Sequence, residues 1–458
     1  MKLFVLDGHE VPNSEDMAML QALYSRSDES VESHLEKVKA VGSGKFMGSY
    51  YLGYGHSSIG ECGETVMFFE NVSMLAAKAI QNFTLYQGQE CSTRYLDFSK
   101  RDLISPIPEM EGLQRAWVDF YAKTQPRVQA LLEELHTRDE DVPLAQWQRA
   151  IKARSFDICR CFLPVGCTTQ LSWKSDLRKA RERLLELKVH PCAEVRELAS
   201  TTLAQLTLKY PNSFKQEDWT PVWDGSPCPC GEISFKQEFY DVYHEDIFAP
   251  PVLFAFIEGN SFESEYVHGS NMLRFNPRAR QFLEDRPEKE QVPKSFERFG
   301  GFYFGFMLDY GSWRDLARHR SAQIPMPVVG QYSAFEPWYL DAIDELSPEL
   351  GQECRDFVTQ QFQKLDFCRR AVDVTEAELQ YYYPLGTRVH VSMYASLPSA
   401  IYIAELRTSQ FVHPTMRSIA LKMADALRYK FPAIKLYVDW SPTSFHPGRG
   451  NQTITEKK

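Results

Sequence analysis

The chain has 458 residues, enough for two or three domains at roughly 100–200 residues each. Its 43% hydrophobic and 24% charged residues are ordinary for a globular protein and exclude disorder over most of its length. The 61 acidic against 51 basic residues exclude a nucleic-acid polymer as the main partner, although a few arginines suffice to hold a mononucleotide.

No window holds about eighteen consecutive apolar residues, and the opening Met1-Lys-Leu-Phe-Val-Leu-Asp7 is too short for a secretory signal. No membrane is therefore expected, and the expected location is cytoplasmic. The Cys-x-Cys pairs Cys159/Cys161 and Cys228/Cys230 have no second ligand cluster, so they read as reduced thiols without a metal.

In chain order, Gly55-His-Ser-Ser-Ile-Gly-Glu61 precedes an aromatic run, Val66-Met-Phe-Phe69, which reads as a strand. A helix with Ser73 as its N-cap follows to about Phe83, and then a loop ending at Tyr95. Downstream come the turn Phe162-Leu-Pro-Val-Gly166, the tripeptide Val189-His-Pro191 and a helical phrase opening at Glu194 and running apolar to Leu206. Proline and glycine then concentrate between Asp218 and Gly231.

The same order returns in the second half. Ser295-Phe-Glu297 precedes the strand Gly301–Phe306, a helix runs from Ser312 to about His319, and a loop ends at Tyr332. Tyr383-Pro-Leu-Gly386, Val412-His-Pro414 and a helix from Thr415 to Leu427 follow. This repetition predicts two tandem domains, 1–215 and 236–440, with a linker at 216–235 and a mobile tail at 441–458. Each is expected to be an α/β (α+β) unit, an antiparallel or mixed sheet flanked by helices.

Arg318-His319-Arg320 and the loop to Tyr332, taken with Glu90-Cys-Ser92-Thr-Arg94-Tyr95, resemble the flavin-dependent thymidylate synthase family. That family's signature is Arg-His-Arg, a polar spacer and Ser-x-Arg-Tyr, and the resemblance covers about 12–206 and 240–430 as two copies. It implies FAD as cofactor and NADPH and methylenetetrahydrofolate as co-substrates. It also implies transfer of a one-carbon unit to a pyrimidine nucleotide such as dUMP without an enzyme nucleophile.

The two halves have complementary losses. The second keeps Arg318, His319 and Arg320 but has Gln331 and apolar residues in the substrate loop, whereas the first keeps Glu90, Ser92, Thr93 and Arg94 but has Asn82-Phe83-Thr84 at the Arg-His-Arg position. The family's arginine before the Leu-Pro turn is Arg160 in the first half and Gln380 in the second. Its arginine near the last helix is Arg407 in the second half, against Lys188 in the first. One composite site per chain is the expectation, and a homodimer would then be a pseudo-tetramer of repeats.

The resemblance assigns Arg318, Arg407 and His319 to the reacting centre. Glu90, Ser92, Thr93, Arg94, Arg160, Arg318, Arg407 and Asp315 fall to the substrate, and His56, Ser58, Ser25, Arg318, His319 and Arg320 to the flavin. The chemistry suits these residue types, since a guanidinium fork binds phosphate in a bidentate way and a permanent cation stabilises enolate charge developing on uracil. The family's flavin-contacting asparagines fall near Ser396 and Tyr402 in the second half and Asp176 in the first.

Asp315 stands where the family has glutamine. Its carboxylate could accept from the exocyclic amine of a cytosine or pair with Arg314 or Arg318. A flavin enzyme modifying another pyrimidine nucleotide, by hydroxymethylation for example, and a catalytically silent nucleotide-binding protein are the alternative readings. Taken singly, each motif has a plainer explanation, such as Arg-His-Arg stabilising a helix C-terminus or Glu90 pairing with Arg94 at i,i+4.

Overall fold

The computed structural model describes residues 11, 13–44, 57–214, 262–268, 277–288, 290–371 and 374–451, so His56 and the expected linker 216–235 lie outside the described residues. The fold is mixed α and β, with small antiparallel sheets among helices.

In the first half, helices α1 (Ser14–Tyr24) and α2 (Val31–Val41) pack together, and α1 also meets the 3-10 turn Ser57–Cys62. Strand β1 (Glu64–Ser73) alternates, with Met67 and Phe69 inside and Val66 and Phe68 exposed. It pairs antiparallel with β2 (Thr168–Asp176), Glu64 opposite Asp176, and a bulge falls at Asn71, whose φ is 57°.

Ser73 accepts from the amide of Ala76 at 2.9 Å and so starts α3 (Met74–Gln81). The connection from β1 to β2 carries α4 (Glu111–Leu135) and α5 (Leu144–Cys159). After β2 come α6 (Leu177–Leu187) and α7 (Ala193–Lys209).

The second half holds β3 (Phe262–His268), α8 (Pro277–Asp285), the 3-10 turn Lys294–Phe299, β4 (Gly300–Asp309), α9 (Tyr310–Leu316) and β5 (Ala322–Gln323). It continues with α10 (Pro337–Leu346), α11 (Pro348–Ala371), α12 (Glu376–Leu379), β6 (Arg388–Ser396), α13 (Leu397–Arg407) and α14 (Pro414–Lys430). Its sheet runs β3-β4-β6-β5, antiparallel throughout.

Corresponding elements match in length. β1 and β4 have 10 residues each, β2 and β6 have 9, α6 and α13 have 11, and α7 and α14 have 17. Even the short third strands correspond, because Gln87 bridges Lys174 as Gln323 bridges Tyr394.

The halves meet at their Leu-Pro-type turns, where Pro164 opposes Pro384. Val165 donates to the Tyr383 carbonyl and Leu385 to the Leu163 carbonyl, both at 2.8 Å. Gly166 donates to Tyr381 and Gly386 to Cys161, both at 2.9 Å. These bonds are reciprocal, as in an antiparallel ladder folded about a two-fold axis. Around them one apolar core runs through both halves, and Phe120 of α4 stacks on Phe357 of α11 at 3.8 Å.

Three expectations need correction. The cap of α9 is Asp309, which accepts from Ser312 at 2.7 Å, because a carboxylate there also reaches Thr415 of α14. The Val-His-Pro tripeptides differ in register, since Pro414 is the first residue of α14 whereas Pro191 lies before Cys192, the N-cap of α7. Within the stretch expected as a mobile tail, the 3-10 turn Pro447–Asn451 packs on α5, and Arg449 there is buried.

A side chain at Gly166 would bring Cβ to 2.6 Å from the Ile104 carbonyl and 2.9 Å from that of Tyr381. Gly166→Val is expected to cost about 1–3 kcal/mol by overpacking this junction, read as a lower urea midpoint. An unchanged midpoint would show that the junction is loose.

Candidate functional site

Three arginines expected at one site come from elements that the central turns bring together. Arg160 begins the 3-10 turn before Leu163, Arg318 follows α9, and Arg407 ends α13. Arg94, in the loop after α3, joins them, and all four lie close enough to Asp315 to lower its pKa.

Arg160 is buried and makes its bonds across the halves. It donates to Asp315 Oδ2 at 3.0 Å and to Ser312 Oγ at 2.9 Å, and it lies 3.8 Å from Asp309. Burial alone would raise the Asp315 pKa, but Arg160, Arg318, Arg94 and Arg407 hold that carboxyl well below its usual range. The carboxylate is thus engaged by Arg160 and, at 3.6 Å, by Arg318, while Arg314 points elsewhere. Asp315 is thus paired with Arg160 and Arg318, the plainer of the two expected uses of its carboxylate.

Arg94 forks onto Asp157, with Nε to Oδ1 at 2.7 Å and Nη2 to Oδ2 at 3.1 Å, and Nη2 also donates to the Phe411 carbonyl at 3.1 Å. Burial opposes ionisation of Asp157, yet Arg449 and Arg94 hold it far below the usual carboxylate range. The backbone amide of Arg94 donates to Ser92 Oγ at 3.3 Å, and Thr93 is buried beside them.

Glu90 does not pair with Arg94. It is buried between Lys78 Nζ at 2.7 Å and the guanidinium of Arg314, and it accepts from Gln81 at 3.1 Å. Lys78 and Arg314 occupy corresponding places, four residues into α3 and α9. Burial would raise the Glu90 pKa, but Arg314 and Lys78 bring it to about 2, while burial takes Lys78 down to about 8.

The Arg-His-Arg tripeptide divides its work. Arg318 is exposed, with its side chain 42% accessible. His319 is buried and accepts from Arg407 Nε at 2.6 Å, so its Nε2 is unprotonated and it acts as the rest for Arg407. Burial, with Arg407, Arg318 and Arg320 nearby, pushes its pKa down to about 3. Arg407 also donates to the Asp315 carbonyl at 2.8 Å. Arg320 crosses to the first half, over the Tyr86 ring at 4.6 Å.

Beside Arg320 lies a cavity of about 920 Å³, lined by Ser321, Gln323, Ser399, Tyr402 and Leu406 as well as Glu288, Glu290 and Glu297. Its volume suits a dinucleotide-sized ligand. The side formed by Arg320 and the start of α13 suits an anionic part, and the glutamate side does not. Ser396 caps α13 and Asp176 caps α6, so two positions of the family's asparagines are helix caps in this chain.

Ser25 and Ser58 are exposed and make only local bonds. Ser25 donates to the Ala22 carbonyl, and the Ser58 carbonyl accepts from Cys62. Neither is bonded to the arginine cluster among the described residues.

At the corresponding place in the other orientation, the ligand space is filled. Gln380, where Arg160 has its counterpart, accepts from the Val329 amide at 3.0 Å. Asn82, at the place of Arg318, donates to the Ile324 carbonyl at 3.0 Å and accepts from Met326 at 3.2 Å, its amide orientation assigned from these partners. Ile324, Val328 and Val329 are buried around them. Arg407 aligns with Leu187, since α6 and α13 have equal lengths, so Lys188 is not its counterpart.

Sequence reasoning missed Lys78, Arg314, Asp157 and Arg449. Asp157 could have been found, since it lies three residues before Arg160 near the end of α5. Neutralising Glu90 is informative because its folded carboxyl sits at about 2 against an ordinary 4.5, so its contribution is full above pH 4.5 and is lost as pH falls toward 2. Glu90→Gln is expected to cost about 3–5 kcal/mol near neutrality by leaving Lys78 and Arg314 buried against an amide. Its stability should fall less steeply than wild type from pH 4.5 toward 2; equal slopes would show that Glu90 carries no charge in the fold.

Residues 8–212 match the family model described as thymidylate synthase complementing protein. Over nearly the whole chain there are diverged relatives. A UPF0159 protein of Chlamydia pneumoniae is 22% identical over 448 residues, 88% of this chain and 82% of the relative. One of Chlamydia muridarum is 24% identical over 452 residues, with the same coverage, and one of Thermoplasma acidophilum is 21% identical, covering 94% of this chain and 96% of its own.

Proposed function

We propose, from the membership of residues 8–212 in the thymidylate synthase complementing protein family and from the arginine cluster that both halves build, that this chain is a flavin-dependent one-carbon transferase. Its substrate on this reading is a uridine-type nucleotide, dUMP-like, modified at C5 in one composite site. The two halves descend from one duplicated unit, a reading supported by their matched element lengths and reciprocal turn.

The observation that carries the reading is surplus positive charge. Arg94, Arg154, Arg160, Arg407 and Arg449 are largely buried around Asp157, Asp309 and Asp315, and Arg318 stands at the edge. Uncompensated buried cations are costly, and an anionic ligand offsets that cost. The filled counterpart pocket supports a single site.

FAD fits the space beside Arg320 in size and, at the start of α13, in charge; bound there, it would supply the reducing equivalents for a one-carbon unit delivered by methylenetetrahydrofolate, with NADPH as reductant. The chain's own residues bind and orient. Arg318, exposed at the edge beside Asp315, reaches the ligand, and Arg407, braced by His319 and the Asp315 carbonyl, presents a fixed cation to charge developing on the base. His319 stays neutral at working pH and moves no proton on this reading.

Arg318→Ala and Arg407→Ala are each expected to lower dUMP affinity about 10- to 100-fold, with Arg318→Ala leaving thermal stability unchanged because its side chain is exposed. Calorimetric titration of the purified protein reads the affinity, and flavin absorbance reads the cofactor. Colourless protein that takes up no FAD and shows no thermal shift with dUMP would sink the proposal.

A further inference from the structure

We infer that the C-terminal segment 439–451 is a strap that delivers Arg449 into the anion site, where this arginine binds the oxyanion of the ligand directly. The inference rests on the reading of the cluster as an anion site and adds to it a residue from outside both repeats.

The strap is held at several places. Arg417 of α14 donates to the carbonyls of Asp439 at 2.8 Å and Ser441 at 2.6 Å and to Thr443 Oγ1 at 2.7 Å. Gln410 donates to the Pro442 carbonyl at 3.0 Å, and Phe445 stacks on His136 at 4.3 Å. Gln146 of α5 donates to the Pro447 carbonyl at 3.3 Å. At Gly450 the strap lies so close to α5 that a Cβ would sit 2.0 Å from the Gln146 carbonyl, so glycine is required for this approach.

This path puts Arg449, only 6% exposed, against Asp157, with its guanidinium 5.9 Å from the Tyr95 ring centre. Its Nη1 reaches Asp157 Oδ2, the same oxygen that accepts from Arg94 Nη2. Its Nε and Nη2 are buried and have no hydrogen-bond partner among the described residues. One carboxylate therefore serves two guanidinium groups, with Arg154 beside them as a third cation.

A purely structural tie would leave that geometry unexplained, because two buried donor nitrogens without acceptors among the described residues are expensive. An oxyanion between Arg94 and Arg449 supplies the missing acceptors and offsets the extra charge. A phosphomonoester fits best, since its oxygens can accept from both guanidinium groups at once. Free phosphate has the same chemistry, and comparing ligands separates the two sources.

The test titrates full-length wild type, Arg449→Ala and Arg449→Lys with dUMP, 2′-deoxyuridine and inorganic phosphate, and follows the strap by limited proteolysis. Arg449→Ala is expected to weaken dUMP about 10- to 100-fold and to leave 2′-deoxyuridine unchanged. Arg449→Lys should recover part of the dUMP affinity, and it carries the test alone if the alanine variant does not fold. Loss of phosphate as well as dUMP affinity supports the oxyanion role, whereas loss of dUMP affinity alone assigns the contact to the nucleotide-borne phosphate.

Equal weakening of nucleotide and nucleoside, or a released strap with dUMP affinity intact, overturns the inference and leaves the anion site standing. Wild-type protein that binds neither dUMP nor phosphate overturns both.

Discussion

The reciprocal bonding of 161–166 with 381–386 is the constraint on which the rest of the molecule depends. Four backbone hydrogen bonds about Pro164 and Pro384 fix one half against the other, and the close packing there needs glycine, since a side chain would meet the Ile104 and Tyr381 carbonyls at Gly166 and the Phe335 ring at Gly386. The residue opening the 3-10 turn before each Leu-Pro-type sequence is then aimed into the opposite half. Only Arg160 makes use of that aim, reaching Asp315 and Ser312 across the junction; its counterpart Gln380 accepts instead from the Val329 amide of its own half. Identical backbone geometry thus produces a charged site once and a closed apolar packing once.

The same asymmetry extends outward. Lys78 and Arg314 are equivalent in position, yet both converge on Glu90, because the position corresponding to Glu90 is filled by Met326 in an apolar loop. A carboxylate at Met326 would have no buried cation to pair with and would be more costly there than methionine. Drift in the closed site is therefore physically coupled: removing one charge makes its partners a liability, and Ile324, Val328 and Val329 complete the collapse.

Much of this was legible in the sequence because it is local. The strands, the Ser73 cap and the order of elements follow from patterns read along the chain, whereas the grouping of Arg94, Arg160, Arg318 and Arg407 came from the family resemblance. The charged partners were not legible, because Asp157 meets Arg94 and Arg449, and Lys78 and Arg314 meet Glu90, only through tertiary contacts. Register was the other weak point. Val-His-Pro occurs twice, but His190 accepts from the Cys192 amide before α7 whereas His413 is itself the N-cap of α14, so similar letters serve different turns.

The tail was misjudged for a related reason. Its proline, glycine and serine content reads as mobile, yet those residues allow the close, extended path that brings Arg449 to Asp157. Asp157 and Asp315 then acquire a common meaning. Each carboxylate holds guanidinium groups in place before a ligand arrives, which lowers the reorganisation cost of binding but cancels part of the available charge. The arginines still outnumber the aspartates around them, so orientation is gained without exhausting the attraction for an anion. A glutamine at 315 would leave the charge of Arg160 less compensated and the side chain less firmly held. The aspartate therefore shifts the balance from raw electrostatic attraction toward geometry, and geometry discriminates between anions that charge alone does not.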